Sequence, residues 1–189
     1  MSGKVIVASA VSAERKLIAD ILRRAGFQVM AETSDASHPL RRIRSLYCDL
    51  IIIDKGLDGG KGSKLAEIVT QDQLAAVILL VDNDISHLDR KGHYLIKPVS
   101  SEKIIPAVES ALWYWKRESE LRARIRKLEE KLETRIVIDK VKGLLMDVNG
   151  WSESEAHHFI QKEAMNHSLS LRQAALLIAE RLADAKRKS

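Results

Sequence analysis

Lys140-Val141-Lys142-Gly143-Leu144-Leu145-Met146, Gly150-Trp151-Ser152-Glu153-Ser154-Glu155-Ala156, Glu163-Ala164-Met165 and Leu171-Arg172-Gln173-Ala174-Ala175 are four short runs in the last third of the chain, and their spacing decides how that third folds. Val137, Val141, Leu144, Leu145 and Val148 recur three and four residues apart, which is one apolar stripe of a helix. Asn149-Gly150 ends that helix, because both residues tolerate the left-handed backbone used at helix ends. Ser152 and Glu155 have the spacing of a capping box, in which hydroxyl and carboxylate satisfy exposed amide donors reciprocally. Ala156, Phe159, Ile160 and Ala164 form a second stripe. Ser170 and Gln173 repeat the capping spacing, and Leu171, Ala174, Ala175, Ile178 and Leu182 form a third stripe. Three short amphipathic helices with tight turns bury their stripes only against one another, which predicts a small three-helix bundle over 135–189.

The same runs, in this order from Arg135 to Leu182, resemble the ANTAR domain, the small RNA-binding module of bacterial transcription antiterminators. Lys142-Gly143 matches the family's Ala-Lys-Gly, although Val141 stands where alanine is usual. The resemblance implies a leader transcript as ligand, with two adjacent stem-loops held so that a terminator does not form. Lys and Arg supply phosphate contacts, and polar groups near helix starts read unpaired bases. Arg135, Lys140 and Lys142 lie off the first stripe and are expected to face solvent. Lys162, Asn166 and Arg172 flank the second and third helices, with Trp151 and Ser152 at the turn between them. Trp151 has two readings: a hydrophobic staple onto Ala156 or Phe159, or a direct base contact.

Composition restricts the class. In 189 residues the hydrophobic share is 46% and the charged share 30%, as in a soluble globular protein with one ordinary domain and one small one. No apolar run approaches the ~20 residues that span a bilayer, and the N-terminus has no signal-peptide pattern. The single cysteine, Cys48, cannot form an intrachain disulfide and reads as a packing residue in a reduced cytoplasm. Of the net charge of +5, residues 1–110 carry +1 and residues 111–189 carry +4, so the basic excess sits where a polyanion would be met.

Residues 1–110 alternate apolar runs with amphipathic stretches. Lys4–Ala8, Gln28–Glu32, Leu50–Asp54, Val77–Val81 and Tyr94–Ile96 read as strands, and Leu17, Ile18, Ile21, Leu22 and Ala25 mark a helix ending at Gly26. Strands alternating with helices predict an α/β fold with a parallel sheet and right-handed crossovers. The order resembles the response-regulator receiver domain, a flavodoxin-like doubly wound sheet. The resemblance puts Asp54 at the phospho-accepting position and Lys97-Pro98 at the family's Lys-Pro pair, usually a cis bond.

The departures from that family matter more. Its acidic pair after the first strand holds Mg²⁺, which neutralises phosphoryl oxygens, and Ser9 and Ala10 stand there. Val81 replaces the hydroxyl residue after the fourth strand, and the stretch from Val81 to Lys97 is short enough to predict a truncated fourth helix. These positions point to a pseudo-receiver that does not take phosphate. Asp54 then pairs with Lys97, with two alternatives left open: residual phosphorylation using Asp58, Asp82 or Asp84, and a solvated remnant.

Between the domains, over 111–134, Leu121, Ile125, Leu128 and Leu132 are spaced four, three and four, a heptad seam flanked by Arg124, Glu129 and Lys131. Two heptads are marginal alone, so the seam is expected within one continuous helix from about Ser101 to Val148. It pairs with a second copy as a parallel coiled coil, or else packs on its own receiver. Trp113-Tyr114-Trp115 faces several sides of that helix, so at least one ring is expected to be buried.

No enzyme is expected. His157, His158 and His167 lack ligand spacing for a metal, and Lys55-Gly56 with Gly59-Gly60-Lys61-Gly62 lacks the context of a phosphate-binding loop and reads as a flexible loop. No cofactor is implied. The expected function is an RNA-binding antitermination regulator, acting as a homodimer. The alternatives are a protein-interaction module or a DNA-binding response regulator that binds no RNA. The resemblance to pseudo-receiver antiterminators further implies a sequestering regulatory partner protein.

Overall fold

The computed structural model describes residues 3–36, 40, 43, 45, 47–82 and 92–188, with side chains to 184. It divides into two compact units, 1–119 and 120–189. The first holds strands β1 (Lys4–Ala8), β2 (Gln28–Thr33), β3 (Leu50–Asp54), β4 (Ala76–Val81) and β5 (His93–Ile96), with helices α1 (Ser12–Arg24) and α2 (Gly62–Gln71). All strand pairs are parallel, in the order β2-β1-β3-β4-β5. This is the doubly wound order expected from the sequence.

Side chains alternate across a strand, and here both faces of the sheet are covered. Val5, Val7, Leu50, Ile52, Ile78 and Leu80 point to one face and pack with Ile18 and Leu22 of α1 and with Ile104, Val108 and Ala111. Ile6, Ala8, Ile51, Ile53, Leu79 and Val81 point to the other and pack with Leu65 and Val69 of α2. Leu50 to Ile53 are wholly buried, which explains why β3 is a continuous apolar run rather than an alternating one. Full burial of each such side chain stabilises by about 1.5–3 kcal/mol. Leu17, read as part of the α1 stripe, is instead exposed, because the inward stripe centres on Ile18 and Leu22.

Cys48 lies at the edge of this core, where burial pushes its thiol up to about 12 and the Leu50 carbonyl accepts from Sγ at 2.9 Å. Such a thiol is a packing group with no reactive thiolate. The glycine-rich stretch after β3 is not the loose loop expected. Leu57–Gly60 is a helical turn with left-handed Asp58 and Gly59, Leu57 is buried, and Gly62 opens α2 so close to the Asp54 carbonyl that a Cβ would clash. The expected truncation of the fourth helix, and Asp84, fall within 83–91 and lie outside the described residues.

Helix α3 runs without interruption from Ser101 to Asn149. Trp115 is half-buried against the sheet core, while Trp113 and Tyr114 are exposed and meet edge to face, ring centroids 5.0 Å apart. The seam residues Leu121, Ile125, Leu128 and Leu132 are 45 to 59% exposed. No helix among the described residues is long and apolar enough to cross a membrane.

The second unit closes the end of α3 with α4 (Glu153–Asn166) and α5 (Leu171–Lys188). Val141, Leu145, Ala156, Ile160, Ala164, Ala174, Ala175 and Ile178 form its core. Gly150 takes a left-handed φ of 68° and donates to the Met146 carbonyl, ending α3 as expected. Val148, expected on the inward stripe, is exposed because the helix ends one residue later and the stripe turns past the core. Both capping boxes form. The Glu155 amide donates to Ser152 Oγ at 3.3 Å while the Ser152 amide donates to Glu155 Oε2 at 2.8 Å, and Ser170 and Gln173 repeat the exchange at 3.3 and 2.9 Å.

Candidate nucleic-acid interface and the strand-end carboxylate

At the C-terminal ends of the strands, Asp54 is 4% exposed and its Oδ1 lies 2.8 Å from Lys97 Nζ. The Gly56 amide donates to the same oxygen at 3.1 Å. Lys97 follows β5 and joins Pro98 through a cis bond. Burial alone would lower the Lys97 pKa, and it is the largest single influence. The hydrogen bond and charge of Asp54, helped by Glu14 and Asp82, together outweigh it and leave the ammonium above its ordinary value.

Glu14 escaped the sequence reading. From the first turn of α1 its Oε2 accepts from the wholly buried Ser9 hydroxyl at 2.8 Å, and its Oε1 lies 3.7 Å from Lys97 Nζ. Arg15 donates to the Ser9 carbonyl. Ser9 is thus engaged by α1, and Ala10 is exposed. The only sequence signal for Glu14 was an acid in a helix's first turn, which the helix dipole favours in any protein. Asp58 turns away to Lys61 at 2.9 Å, and Asp82 approaches Lys97 at 3.8 Å from an exposed position.

In the bundle, the structure separates the cations that are engaged from those that are not. Lys142, expected to face solvent, is corrected: its side chain is only 14% exposed, with Nζ 2.8 Å from Asp139 and 2.6 Å from Glu153. It ties α3 to the first turn of α4. Hydrogen bonds from Asp139 and Glu153 hold the ammonium above the ordinary lysine pKa, and it holds both carboxylates below theirs. Arg135 shares Asp139 at 3.6 Å, and Arg172 pairs with Glu133 at 3.2 Å. Ser152 is occupied by its capping box, where its hydroxyl and then its amide hold Glu155 below the usual carboxylate value. Trp151 packs on Phe159 with ring centroids 5.1 Å apart, the staple geometry.

Lys140 and Lys162 are exposed and make no ion pair among the described residues. Lys162 and Asn166 come together on the outer face of α4, lining an open groove of about 810 Å³ with His158, Gln161, Met165 and Leu171. Gln161 had no sequence signal, since exposed positions carry no periodic constraint, whereas Met165 belongs to the Glu163-Ala164-Met165 run. Among the described residues, no group of three or more His, Cys, Asp or Glu is placed to hold a metal ion.

Comparison with known proteins fits this division. Residues 126–178 match the model of the ANTAR domain, so the chain carries an ANTAR domain behind an N-terminal receiver-like domain. It is 27% identical over 189 residues to the transcriptional regulatory protein PdtaR of Mycobacterium tuberculosis, covering 97% of this chain and 92% of that protein. It is 30% identical over 88 residues to the aliphatic amidase regulator of Pseudomonas aeruginosa, covering 47% of this chain and 43% of that one. The CheY-like response regulator receiver domain from Methanospirillum hungatei shares the fold at a TM-score of 0.56 and 18% identity, over 62% of this chain and 99% of that domain.

The Lys142 clasp gives a pH signature. Glu153 is depressed below its ordinary 4.5, so its contribution to stability is present above that pH and is lost as pH falls through the folded value. Lys142→Met keeps the stem and removes the charge. Hydrogen exchange across 137–182 should show the wild-type bundle loosening between pH 5 and pH 3 by more than the variant does, with the two converging at the acid end.

Proposed function

We propose that this chain is an RNA-binding transcription antitermination regulator that holds paired stem-loops in a nascent leader transcript. The observation that carries the reading is that residues 126–178, which match the ANTAR domain, close into a bundle with unpaired cations on its surface. RNA duplexes offer side chains a major groove too narrow to read, so a small helical module engages loops and the phosphates around them. Of the eight residues expected to contact RNA, Lys140, Lys162 and Asn166 are uncommitted. Arg135 and Arg172 would exchange carboxylates for phosphates, while Lys142, Ser152 and Trp151 position the helices. The relatives named above are regulators, in keeping with a non-enzymatic role. An RNA carrying two tandem stem-loops from the leader of a neighbouring operon should bind and should raise read-through in a transcription assay. Lys140→Ala should weaken binding across sequences and reduce the slope of log K against log salt by about 1. A folded wild-type protein that binds no such RNA overturns the reading.

Phosphorylation is not the input. Ser9 and Ala10 supply no carboxylate pair for Mg²⁺, and Val81 supplies no hydroxyl. Acetyl phosphate or beryllofluoride with Mg²⁺ should leave intact mass and melting temperature unchanged. A stoichiometric adduct on Asp54 refutes this. Control would then fall to a regulatory partner protein.

The second copy belongs on the α3 seam, within the segment 111–134 that separates the domains 1–110 and 135–189. In a parallel pair, Arg124 of one chain faces Glu129 of the other, whereas antiparallel pairing brings Arg124 toward Lys131. Ile125→Asp with Leu128→Asp buries carboxylates in that seam and should give a monomer by light scattering. A variant that remains dimeric places the interface elsewhere.

A further inference from the structure

The groove on the outer face of α4 stands apart from the rest of the bundle surface. Its apolar lining is Met165, 81% exposed, with Leu171, the half-buried Leu169 and the buried Ala164. Its rim carries Gln161, Asn166, His158 and Lys162, none of which makes a side-chain hydrogen bond or ion pair among the described residues. No aspartate or glutamate lines it. The groove thus gathers an exposed thioether, two free amides and one free ammonium.

We propose that this groove takes one unstacked nucleobase from an RNA loop. Gln161 and Asn166 read its hydrogen-bonding edge, Met165 lies against its face, and Lys162 meets the adjoining phosphate. Carboxamides suit base edges because each presents a donor and an acceptor together, and a polarizable thioether suits the flat face of an aromatic ring. The volume lies in the range of small-ligand sites. An apolar side chain from a protein partner would fill the floor but would strip water from the amides and the ammonium with nothing in return. That asymmetry favours a base over a peptide. The inference rests on the RNA reading above and assigns sequence choice to α4, leaving α3 and Lys140 to general phosphate attraction.

The test is selection from a pool of tandem-hairpin RNAs with randomised loops, using the full chain. Wild type should enrich a defined loop and discriminate against single-base changes in it. Gln161→Ala with Asn166→Ala, at exposed positions and checked for folding by circular dichroism, should still bind the pool but lose about tenfold or more of that discrimination. Lys162→Ala should weaken all loops alike and lower the salt slope by about 1. A folded amide double variant that keeps the wild-type loop preference overturns the groove as a base site while leaving RNA binding intact. The same holds if that variant keeps its preference yet loses antitermination in cells, which would assign the groove to a protein. A wild type that enriches no hairpin overturns the RNA reading itself, and the groove's role with it.

Discussion

One helix serves two hydrophobic cores. Ile104, Val108 and Ala111 of α3 complete one face of the parallel sheet, and Val141 and Leu145 of the same helix complete the bundle. Each core needs its segment of α3, so the stretch between is helical by continuity rather than by burial. That stretch has no core of its own to join. The exposure of Leu121, Ile125, Leu128 and Leu132 follows directly.

Buried periodicity was the legible part of the fold. The five strands and the three bundle helices follow from apolar spacing, since a buried face constrains every second or every third and fourth residue, while the doubly wound order of the sheet is what the receiver resemblance implied. Capping boxes and Gly150 were equally readable because their chemistry is local. Apart from the Asp54–Lys97 pair, which the receiver resemblance supplied, contacts between residues distant in sequence were not readable. Lys142 looked solvent-facing from its place off the stripe, yet a charge eleven residues away at Glu153 draws it down. Glu14 likewise enters the strand-end site only because α1 folds back over Ser9. On α4, Lys162 and Asn166 were legible as candidates, but that Gln161 joins them in one groove was not, because exposed positions follow no period.

Electrostatics sorts the basic surface into two populations. Arg135, Lys142, Arg172 and Arg181 are matched by Asp139, Glu153, Glu133 and Glu163 within the bundle. Exposed pairs of this kind add little to stability and are screened by salt, but they lower the charge a polyanion meets. A net excess of positive charge in a segment therefore overstates its attraction for nucleic acid. The unpaired minority sets the field, and here it includes Lys140 and Lys162.

The uncovered seam also bears on gene dosage. If a second copy covers the seam, as proposed, the paired fraction would follow the total amount of protein, by mass action rather than by any covalent mark. At low abundance most chains would be single, and each would carry one bundle for a target with two hairpins. A modest rise in expression would then produce a more than proportional rise in the bivalent species, because tethering strengthens the second contact. Copy number would itself act as an input, read by the four apolar residues of α3 and requiring no chemistry at the strand ends.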